Sequence, residues 1–206
     1  NEENCNIDGN YKYTLYMCGI LENGAKATVQ ITDIKVFFDI MVPIADNNLY
    51  ENNIITRCNY GIYAAGLSGY PLNGLKIRNN IFGDGTSGGN VIRGMYITFT
   101  ATASGQTSAL ISGNDIQAGD PPNTSYIGFA VGMEIGSNNY GIQIFNNNIH
   151  DVRKPAGGYA CGILVTGSSN MNGMSIYNNF IRDIAGAKTG ASTFGTTNGS
   201  YGILVF

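Results

Sequence analysis

The chain has 206 residues, of which 43% are hydrophobic and 12% are charged, and its formal net charge is −3. The apolar fraction excludes an intrinsically disordered chain, and 11 basic residues with no extended basic patch argue against nucleic-acid binding. No run of about 18 apolar residues occurs, so we expect no membrane-spanning helix.

Both ends of the sequence bear on domain organisation. The opening "NEENCNIDGN" does not have the form of a signal peptide, and we expect residues 1–16 to be irregular or to belong to a preceding coil. The final "YGILVF" stops within an apolar strand pattern. We therefore expect a single domain over residues 1–206, cut from a longer chain.

One short template recurs along the chain, with the pattern small, apolar, any, Ile, any, Asn or Gly, Asn, any, apolar. Its copies are "GLKIRNNIF" (74–82), "ALISGNDI" (109–116), "GIQIFNNNI" (141–149) and "GMSIYNNFI" (173–181). The fixed asparagines are Asn80, Asn114, Asn147 and Asn179, at separations of 34, 33 and 32 residues. Upstream, "VPIADNNL" (42–49) extends the series with Asn47, while "YENNII" (50–55) competes for the same place.

A second template lies between the first copies and always opens with glycine. It reads "GIYAAG" (61–66), "GMYITF" (94–99), "GMEIGS" (132–137), "GILVTG" (162–167) and "GILVF" (202–206). "GILENG" (19–24) followed by "ATVQITDI" (27–34) is interpreted as a degraded earlier copy. Two strands therefore recur about every 33 residues, and no helical stripe of apolar residues is sustained. A fixed period of this length predicts a solenoid in which each repeat stacks on its own copy.

The segments "YGIY…GLKIRNNIF" and "CGIL…GMSIYNNFI" resemble the repeats of right-handed parallel β-helix proteins. That group includes pectate lyases and other polysaccharide lyases, polygalacturonase-type glycosidases, phage tailspikes and bacterial surface proteins. The resemblance covers roughly residues 17–206 and implies an all-β, right-handed parallel β-helix solenoid of about five to six coils. It implies little about function, because one fold hosts many activities.

The paired asparagines predict the corners of this solenoid. Asn enters the left-handed backbone region more readily than most residues other than Gly, which suits a sharp turn between strands. Stacked asparagine amides can also hydrogen-bond from one coil to the next. We therefore interpret Asn80, Asn114, Asn147 and Asn179 as a structural ladder, with Gly113 taking the bend in one repeat.

Counting four residues onward from each fixed asparagine predicts a column of mainly acidic residues, namely Glu51, Asp84, Ala118, Asp151 and Asp183. Asp151 and Asp183 would lie one coil apart, at about 5 Å. Two carboxyl groups at that separation suit a retaining glycosidase, and together they form a candidate calcium site.

The column one residue earlier contains Tyr50, Gly83, Gln117, His150 and Arg182. Arg182 beside His150 would bind an acidic sugar, and a basic side chain can serve as a catalytic base. The alternative is that these side chains follow the bend and face solvent, with His150 solvated. Lyases of the resembled group cluster Asp and Glu for calcium beside a basic catalytic residue, and this sequence does not match that set residue by residue.

Cysteine and tyrosine add two weaker signals. The spacing of Cys5, Cys18, Cys58 and Cys161 does not fit a zinc site. Cys18 and Cys161 have the surroundings of small buried hydrophobic residues. A disulfide such as Cys5–Cys18 stays an open alternative.

Several tyrosines lie near repeat glycines, which places them either on an outer face that contacts glycan or protein or in stacks that stabilise adjacent coils. They are Tyr60, Tyr126, Tyr140, Tyr159 and Tyr201.

Two classes of function follow. The first is a secreted or cell-surface scaffold of the adhesin type, which binds glycan or protein along its elongated face. The second is a carbohydrate-active enzyme, a polysaccharide lyase or glycoside hydrolase, working in a groove near Asp151, Asp183, Arg182 and His150. Because an uncapped solenoid end exposes strand edges, we also expect adjoining coils, a cap or a partner at both ends.

Overall fold

The computed structural model describes residues 2–3, 6–8, 18–22, 47–67, 71–85, 91–119, 129–154, 158–186 and 199–206. These residues form nineteen strands, numbered β1 to β19 along the chain, and no helix. None of the described residues therefore belongs to a helix that could cross a membrane.

The strands form three parallel sheets, and the chain visits sheet A, then B, then C before it returns to A. We call one such passage a coil. Sheet A contains β1 (Glu2–Glu3), β4 (Leu49–Glu51), β7 (Lys76–Arg78), β10 (Leu110–Ser112), β13 (Gln143–Phe145) and β16 (Ser175–Tyr177). Sheet B contains β2 (Asn6–Asp8), β5 (Ile54–Thr56), β8 (Ile81–Phe82), β11 (Asp115–Gly119), β14 (Asn148–Arg153) and β17 (Phe180–Ile181), with β18 (Ile184–Ala185) beside β14. Sheet C contains β3 (Cys18–Glu22), β6 (Tyr60–Ala65), β9 (Arg93–Thr98), β12 (Phe129–Ile135), β15 (Tyr159–Val165) and β19 (Gly199–Val205).

These sheets confirm both sequence templates and the expectation of an all-β parallel solenoid. The glycine-led template supplies sheet C, and "GILENG" supplies β3, which pairs with β6; residues 27–34 lie outside the described part. The first template supplies sheets A and B. Each asparagine that interrupts it stands at the corner between them, which is why the apolar run looked broken.

The core lies between the three sheets and is built from columns of identical or similar side chains. Side chains alternate between the two faces of a strand, so every second residue points inward. Each sheet contributes fully buried columns, such as Ile77, Ile111 and Ile144 in sheet A, Phe82, Ile116 and Ile149 in sheet B, and Met95, Met133 and Ile163 in sheet C. Branched aliphatic residues pack well on the pleated, half-buried surface of a sheet.

The asparagine ladder is confirmed at the corner between sheets A and B. Asn114 donates from its backbone N and from Nδ2 to Asn147 Oδ1, at 3.0 and 2.9 Å. Its Nδ2 also donates to Ile77 O at 3.0 Å. The same arrangement joins Asn80 to Asn114 and Asn147 to Asn179. Each side chain thus satisfies backbone groups of its own and of a neighbouring coil.

Among the described residues the ladder can be followed from Asn53, which lies in the competing segment "YENNII" (50–55), so the extension through Asn47 is wrong. Asn53 donates from its backbone N and from Nδ2 to Asn80 Oδ1, at 3.0 and 2.9 Å, although only 27 residues separate them. Asn47 lies in the turn before sheet A, where its N–H donates to Asn73 O at 2.6 Å. The coil between Asn53 and Asn80 is shorter, so a constant period placed the wrong asparagine in the ladder.

The first residue of each corner pair takes the left-handed backbone region, with φ between 53° and 66°. These residues are Asn52, Asn79, Gly113, Asn146 and Asn178. The interpretation of Gly113 as the bend residue of its repeat is therefore confirmed. The first residue of each pair makes the bend, and the second contributes its side-chain amide to the ladder.

The cysteine expectations are met where side chains are described. Cys58 and Cys161 are thiols outside any disulfide and are fully buried, as small hydrophobic side chains would be. The side chains of Cys5 and Cys18 lie outside the described part of the chain.

We expect Asn147→Ala to lower the free energy of unfolding by about 2–4 kcal/mol. The substitution leaves buried backbone groups unpaired, among them Ile111 O and the N–H of Asn114, and each such group costs roughly 1–3 kcal/mol. Urea denaturation measures the change. Asn172→Ala, at an exposed asparagine of a different turn, should change stability by less than about 0.5 kcal/mol; equal losses in both variants would contradict the ladder's role.

Candidate functional site

Within the described part of the chain, two surfaces each bring several ionisable groups together. The turn cluster lies on sheet B. It comprises His150, Asp151 and Arg153 of β14, together with Arg182 and Asp183 between β17 and β18. The aromatic face is the outer side of sheet C. It comprises Tyr60, Tyr63, Arg93, Tyr96, Phe129, Glu134, Tyr159 and Tyr201.

A β-bulge positions the two carboxylates of the turn cluster. Asp151 and Asp183 have φ values of 51° and 53°, and the residues around them pair as Ile149 with Ile181 and Val152 with Ile184. Asp151 and Asp183 therefore occupy the same position in successive coils. A residue in the left-handed region inside a strand is typical of a bulge, and it turns the carboxylate away from the regular alternation.

The longer acidic column does not form. Against β14, strand β11 pairs Gln117 with His150 and Gly119 with Arg153, so one residue faces two. That single residue, Ala118, is fully buried. Glu51 lies in sheet A, where it forms an ion pair with Arg78 at 2.7 Å. Ala118 and Glu51 therefore do not lie beside the carboxylates of the turn cluster. The bulge moves Ala118 out of the predicted position. Glu51 was counted from Asn47, whereas the ladder asparagine of that coil is Asn53.

His150 is buried, which overturns its expected exposure on a turn. Only 7% of the residue is exposed, and both ring nitrogens contact carboxylates. Nε2 lies 2.9 Å from Asp115 Oδ1 on the neighbouring strand, and Nδ1 lies 2.8 Å from Asp151 Oδ2. The ring therefore connects two coils of sheet B.

Asp151 is held as a carboxylate by its neighbours. Arg153 Nη2 donates to Asp151 Oδ1 at 2.6 Å, opposite the contact with His150. These hydrogen bonds, the one with His150 first, lower the pKa of Asp151 below its ordinary value of 3.8. Each carboxylate oxygen of Asp151 therefore has one partner on a neighbouring side chain.

The second carboxylate forms a separate pair. Asp183 accepts a hydrogen bond from Arg182 of the same coil, and both side chains are largely exposed. Arg182 and Phe180 border an open surface depression of about 460 Å³, whose remaining lining is residues 146–148 and Asn178. Among the described residues, no three His, Cys, Asp or Glu side chains are placed to bind one metal ion.

The aromatic face holds two groups of three rings, and the Arg93 guanidinium contacts a ring of each group. Tyr63 stacks on Tyr96 with centroids 4.9 Å apart, and Phe129 stacks on Tyr159 at 5.2 Å. Tyr60 meets Tyr63 edge to face, and Tyr201 meets Tyr159 in the same way. The predicted stacking of tyrosines between coils thus occurs at Tyr60, Tyr159 and Tyr201, whereas Tyr140 lies in the turn before β13 and Tyr126 lies outside the described residues.

An ion pair is embedded in these rings. Arg93 Nη1 lies 2.7 Å from Glu134 Oε2, and the Arg93 guanidinium lies 4.0 Å from the ring centroid of Phe129 and 4.8 Å from that of Tyr60. Both charged side chains are mostly buried, at 15% and 11% exposure. Cation–π contacts of this kind gain strength when water is excluded.

Burial shifts the pKa values of several side chains on and beneath the aromatic face. Desolvation raises the pKa of Glu134, although the charge of Arg93 opposes the rise. Burial also raises the pKa of Tyr159 and of Cys161 to about 12 each. Beneath the rings, Val131 and Cys161 are fully buried on the outer side of the sheet. Several perturbed groups in one place make a functional-site candidate.

Sequence reasoning missed Arg93 and Glu134. They are 41 residues apart, and only the register of sheet C brings them together. Arg93 immediately precedes Gly94, and Glu134 follows Gly132 by two residues. Strict alternation along a strand would place these two positions on opposite faces, so alignment of the repeat glycines gives no signal for the pair.

Comparison with known proteins adds little. No protein-family model matches the chain, and no solved structure matches it significantly. A short segment is similar to DNA polymerase beta of African swine fever virus, with 48% identity over 48 residues in strain Badajoz 1971 Vero-adapted and 46% over 48 residues in isolate Warthog/Namibia/Wart80/1980. Each match covers 23% of this chain and 4% of the polymerase, and so brings no activity to the chain.

We expect Asp151→Asn to destabilise the protein in a pH-dependent way. A carboxyl whose folded-state pKa is lowered contributes stability above its unfolded pKa, and this contribution is lost as pH falls through the folded pKa. The difference between wild type and variant in urea unfolding should therefore be largest near neutral pH and shrink below about pH 4. Asn tolerates the left-handed backbone, which leaves the charge as the main change. A difference constant from pH 7 to pH 3 would contradict this assignment.

Arg93→Ala should lower the free energy of unfolding by about 3 kcal/mol at neutral pH, because it leaves the Glu134 carboxylate buried without its partner. Loss of Arg93 also removes the charge that opposes the raised pKa of Glu134. A raised pKa favours the folded state at low pH, so the destabilisation should diminish as pH falls and Glu134 takes up a proton.

The matched control for Arg93→Ala is Arg78→Ala. Its ion pair with Glu51 has the same length of 2.7 Å, but 46% of the Arg78 side chain is exposed. An exposed pair is worth about 0–1 kcal/mol, so this variant should lose little. Equal losses in the two variants would show that burial of the Arg93 pair has no energetic role.

Proposed function

We propose that the chain is a binding scaffold of the secreted or cell-surface adhesin type, and that its aromatic face binds a glycan. We further propose a right-handed parallel β-helix of five to six coils, akin to the lyase-like and surface-protein β-helices that its repeats resemble. The single observation that carries the binding function is the set of six partly exposed rings that the successive strands β6, β9, β12, β15 and β19 place on one face.

The arrangement favours an elongated, repeating ligand. Coils stack at about 4.8 Å, and each of the five successive strands of sheet C from β6 to β19 carries at least one ring or the cation between the rings, so the rings extend along one direction. An aromatic ring offers an apolar face for the C–H side of a sugar, and a tyrosine hydroxyl offers a hydrogen bond at its edge. Few other surfaces combine both properties along a line, and a polysaccharide matches them.

The charge of the face favours a neutral glycan over an acidic one. The guanidinium of Arg93 is paired with Glu134 and covered by Phe129, so the pair has no net charge to attract an anionic polymer. This internal pairing also speaks against a nucleic-acid ligand, which stacks on aromatic residues within a positively charged groove.

Handedness and location rest on more general grounds. Parallel strands of one sheet are joined here through the other two sheets, and crossover connections between parallel strands are right-handed in nearly all proteins. The secreted or cell-surface location follows from the resemblance of the repeats to lyases, tailspikes and surface proteins of this architecture.

An enzymatic activity is the second candidate function, because the carboxylates proposed for catalysis already form hydrogen bonds with neighbouring side chains. Asp151 is hydrogen-bonded to His150 and Arg153, and Asp183 to Arg182. A retaining glycosidase needs one free carboxylate nucleophile and one proton donor facing a shared cleft. The depression beside Arg182 is open and lined mainly by asparagine amides, which suit contact with a sugar more than bond cleavage.

The proposal is tested by a binding panel of neutral and acidic polysaccharides, measured by affinity electrophoresis and calorimetry. The double variant Tyr63→Ala/Tyr96→Ala removes a stacked pair from the aromatic face. We expect it to weaken binding of a neutral polysaccharide about tenfold or more, since each lost ring contact is worth roughly 0.5–1.5 kcal/mol.

The control is Tyr177→Ala, which removes one ring of the Phe145–Tyr177 stack on sheet A, with centroids 5.1 Å apart. It should leave binding unchanged while circular dichroism shows both variants folded. Absence of binding across the panel, or equal losses in the two variants, would refute the aromatic face as the binding surface. Turnover of any polysaccharide that is abolished by Asp151→Asn would instead favour the enzyme.

A further inference from the structure

The five strands that form the aromatic face contain only two charged residues. The strands are β6, β9, β12, β15 and β19, and the two residues are Arg93 and Glu134. They face each other as one ion pair, in which 15% of the Arg93 side chain and 11% of the Glu134 side chain are exposed. Within these strands, the net charge of the aromatic face therefore depends on a single carboxyl group.

The strands on both sides of β12 place ionisable groups around Glu134. On β9, Arg93 Nη1 donates to Glu134 Oε2 at 2.7 Å, and Tyr96 stands opposite Glu134 in the register. Burial, and after it the Glu134 charge, raises the pKa of Tyr96 and of Tyr159 on β15. Burial also raises the pKa of Cys161 to about 12. These hydroxyl and thiol groups stay neutral at neutral pH, and among the described residues Arg93 is the only cation paired with Glu134.

Two opposing effects act on the Glu134 carboxyl. Burial destabilises its charged form and raises its pKa above the ordinary value of 4.5, while the charge of Arg93 lowers it. Because burial prevails, Glu134 takes up a proton at a less acidic pH than an exposed glutamate does. The pair then loses its negative member and keeps its positive one, since an arginine side chain remains protonated throughout.

Protonation of Glu134 leaves the Arg93 guanidinium unneutralised among the rings. The guanidinium lies 4.0 Å from the ring centroid of Phe129 and 4.8 Å from that of Tyr60, between the two groups of rings. Water is largely excluded there, so the field of the cation is screened less than at an open surface. Rings that accept a sugar face, together with a cation between them, suit a glycan that carries anionic groups.

We propose that Glu134 sets the charge selectivity of the aromatic face: ionised, it confines the face to neutral glycans, and protonated, it admits sulfated ones. This inference rests on the proposed glycan-binding function and adds to it a specificity-determining residue that responds to pH. The same rings contact both classes of glycan, and only the charge between them differs. A sulfate ester stays anionic in mild acid, so a sulfated glycan remains a ligand under the conditions that protonate Glu134.

Glu134→Gln tests the proposal at constant, neutral pH. Gln keeps the size of the side chain and an acceptor oxygen for Arg93, but it carries no negative charge. The probes are hydroxyethyl cellulose and cellulose sulfate, a neutral and an anionic polymer of the same backbone, with affinities measured by calorimetry. At low salt, the variant should bind cellulose sulfate about fivefold or more tightly than wild type. The gain should disappear at about 0.5 M salt, and the affinity for hydroxyethyl cellulose should stay nearly constant.

Two control variants separate this effect from the charge of the whole chain. Glu51→Gln makes the same change in net charge at the ion pair with Arg78 on sheet A, and it should leave both affinities unchanged. The double variant Arg93→Gln/Glu134→Gln removes the cation as well, so it should lose the gain for cellulose sulfate. Circular dichroism of each variant shows that it is folded.

Acidification of the wild type should reproduce the variant, and this series decides the proposal even where Glu134→Gln does not fold. At about pH 5, close to the sequence pI of about 5.0, the chain as a whole carries little net charge. Wild-type affinity for cellulose sulfate should rise between neutral pH and this pH toward that of Glu134→Gln, whereas the variant itself should change less.

The outcomes for the proposed binding function and for the role of Glu134 are distinct. Loss of neutral-polysaccharide binding across the panel, or its survival in Tyr63→Ala/Tyr96→Ala, counts against the aromatic face itself. Intact neutral binding, with equal affinities of Glu134→Gln and Glu51→Gln for cellulose sulfate, would overturn only the role of Glu134. A wild-type affinity for cellulose sulfate that does not rise toward pH 5 would overturn it as well.

Discussion

The buried amide ladder at the corner between sheets A and B is the interaction on which the rest of the structure depends. A chain that turns sharply inside a solenoid leaves backbone carbonyls without strand partners, and burying such groups unpaired is costly. The amide of Asn114 resolves this by donating to carbonyls of two coils while its own backbone N–H is satisfied by Asn147. Since the ladder fixes one corner of every coil at the same height, it also fixes the register of the sheets on either side.

Register explains how much of the fold was predictable from sequence. The asparagines and glycines must recur because each stacks on its own copy, so their spacing revealed the solenoid, and the division of labour between Asn146 and Asn147 followed from left-handed propensity. The error at Asn47 has the same origin. Two corners of this fold accept an asparagine pair, and connections outside the core change length freely. A short connection between Asn53 and Asn80 therefore broke the period without altering the stack.

The candidate sites were less predictable, because they depend on departures from the regular alternation. One extra residue in the strand of Asp151 shifts Ala118 out of the acidic column and brings Asp151 onto the His150 ring. Nothing in the local sequence distinguishes that bulge from a loop. The pairing of Arg93 with Glu134 is diagonal across two coils, and strict alternation would place positions one before and two after the repeat glycine on opposite faces.

A column of glycines shapes the aromatic face from beneath. Gly94 and Gly132 stand at one register position of sheet C, and a Cβ added at either would lie 2.3–2.6 Å from the glycine carbonyl oxygen of the next coil. Glycine is therefore required at this position, and the preceding outward residues, Arg93 and Val131, stand in one closely spaced row. The rings of the proposed binding face thus depend on residues without side chains, because any side chain in this column would displace the strands that carry the rings.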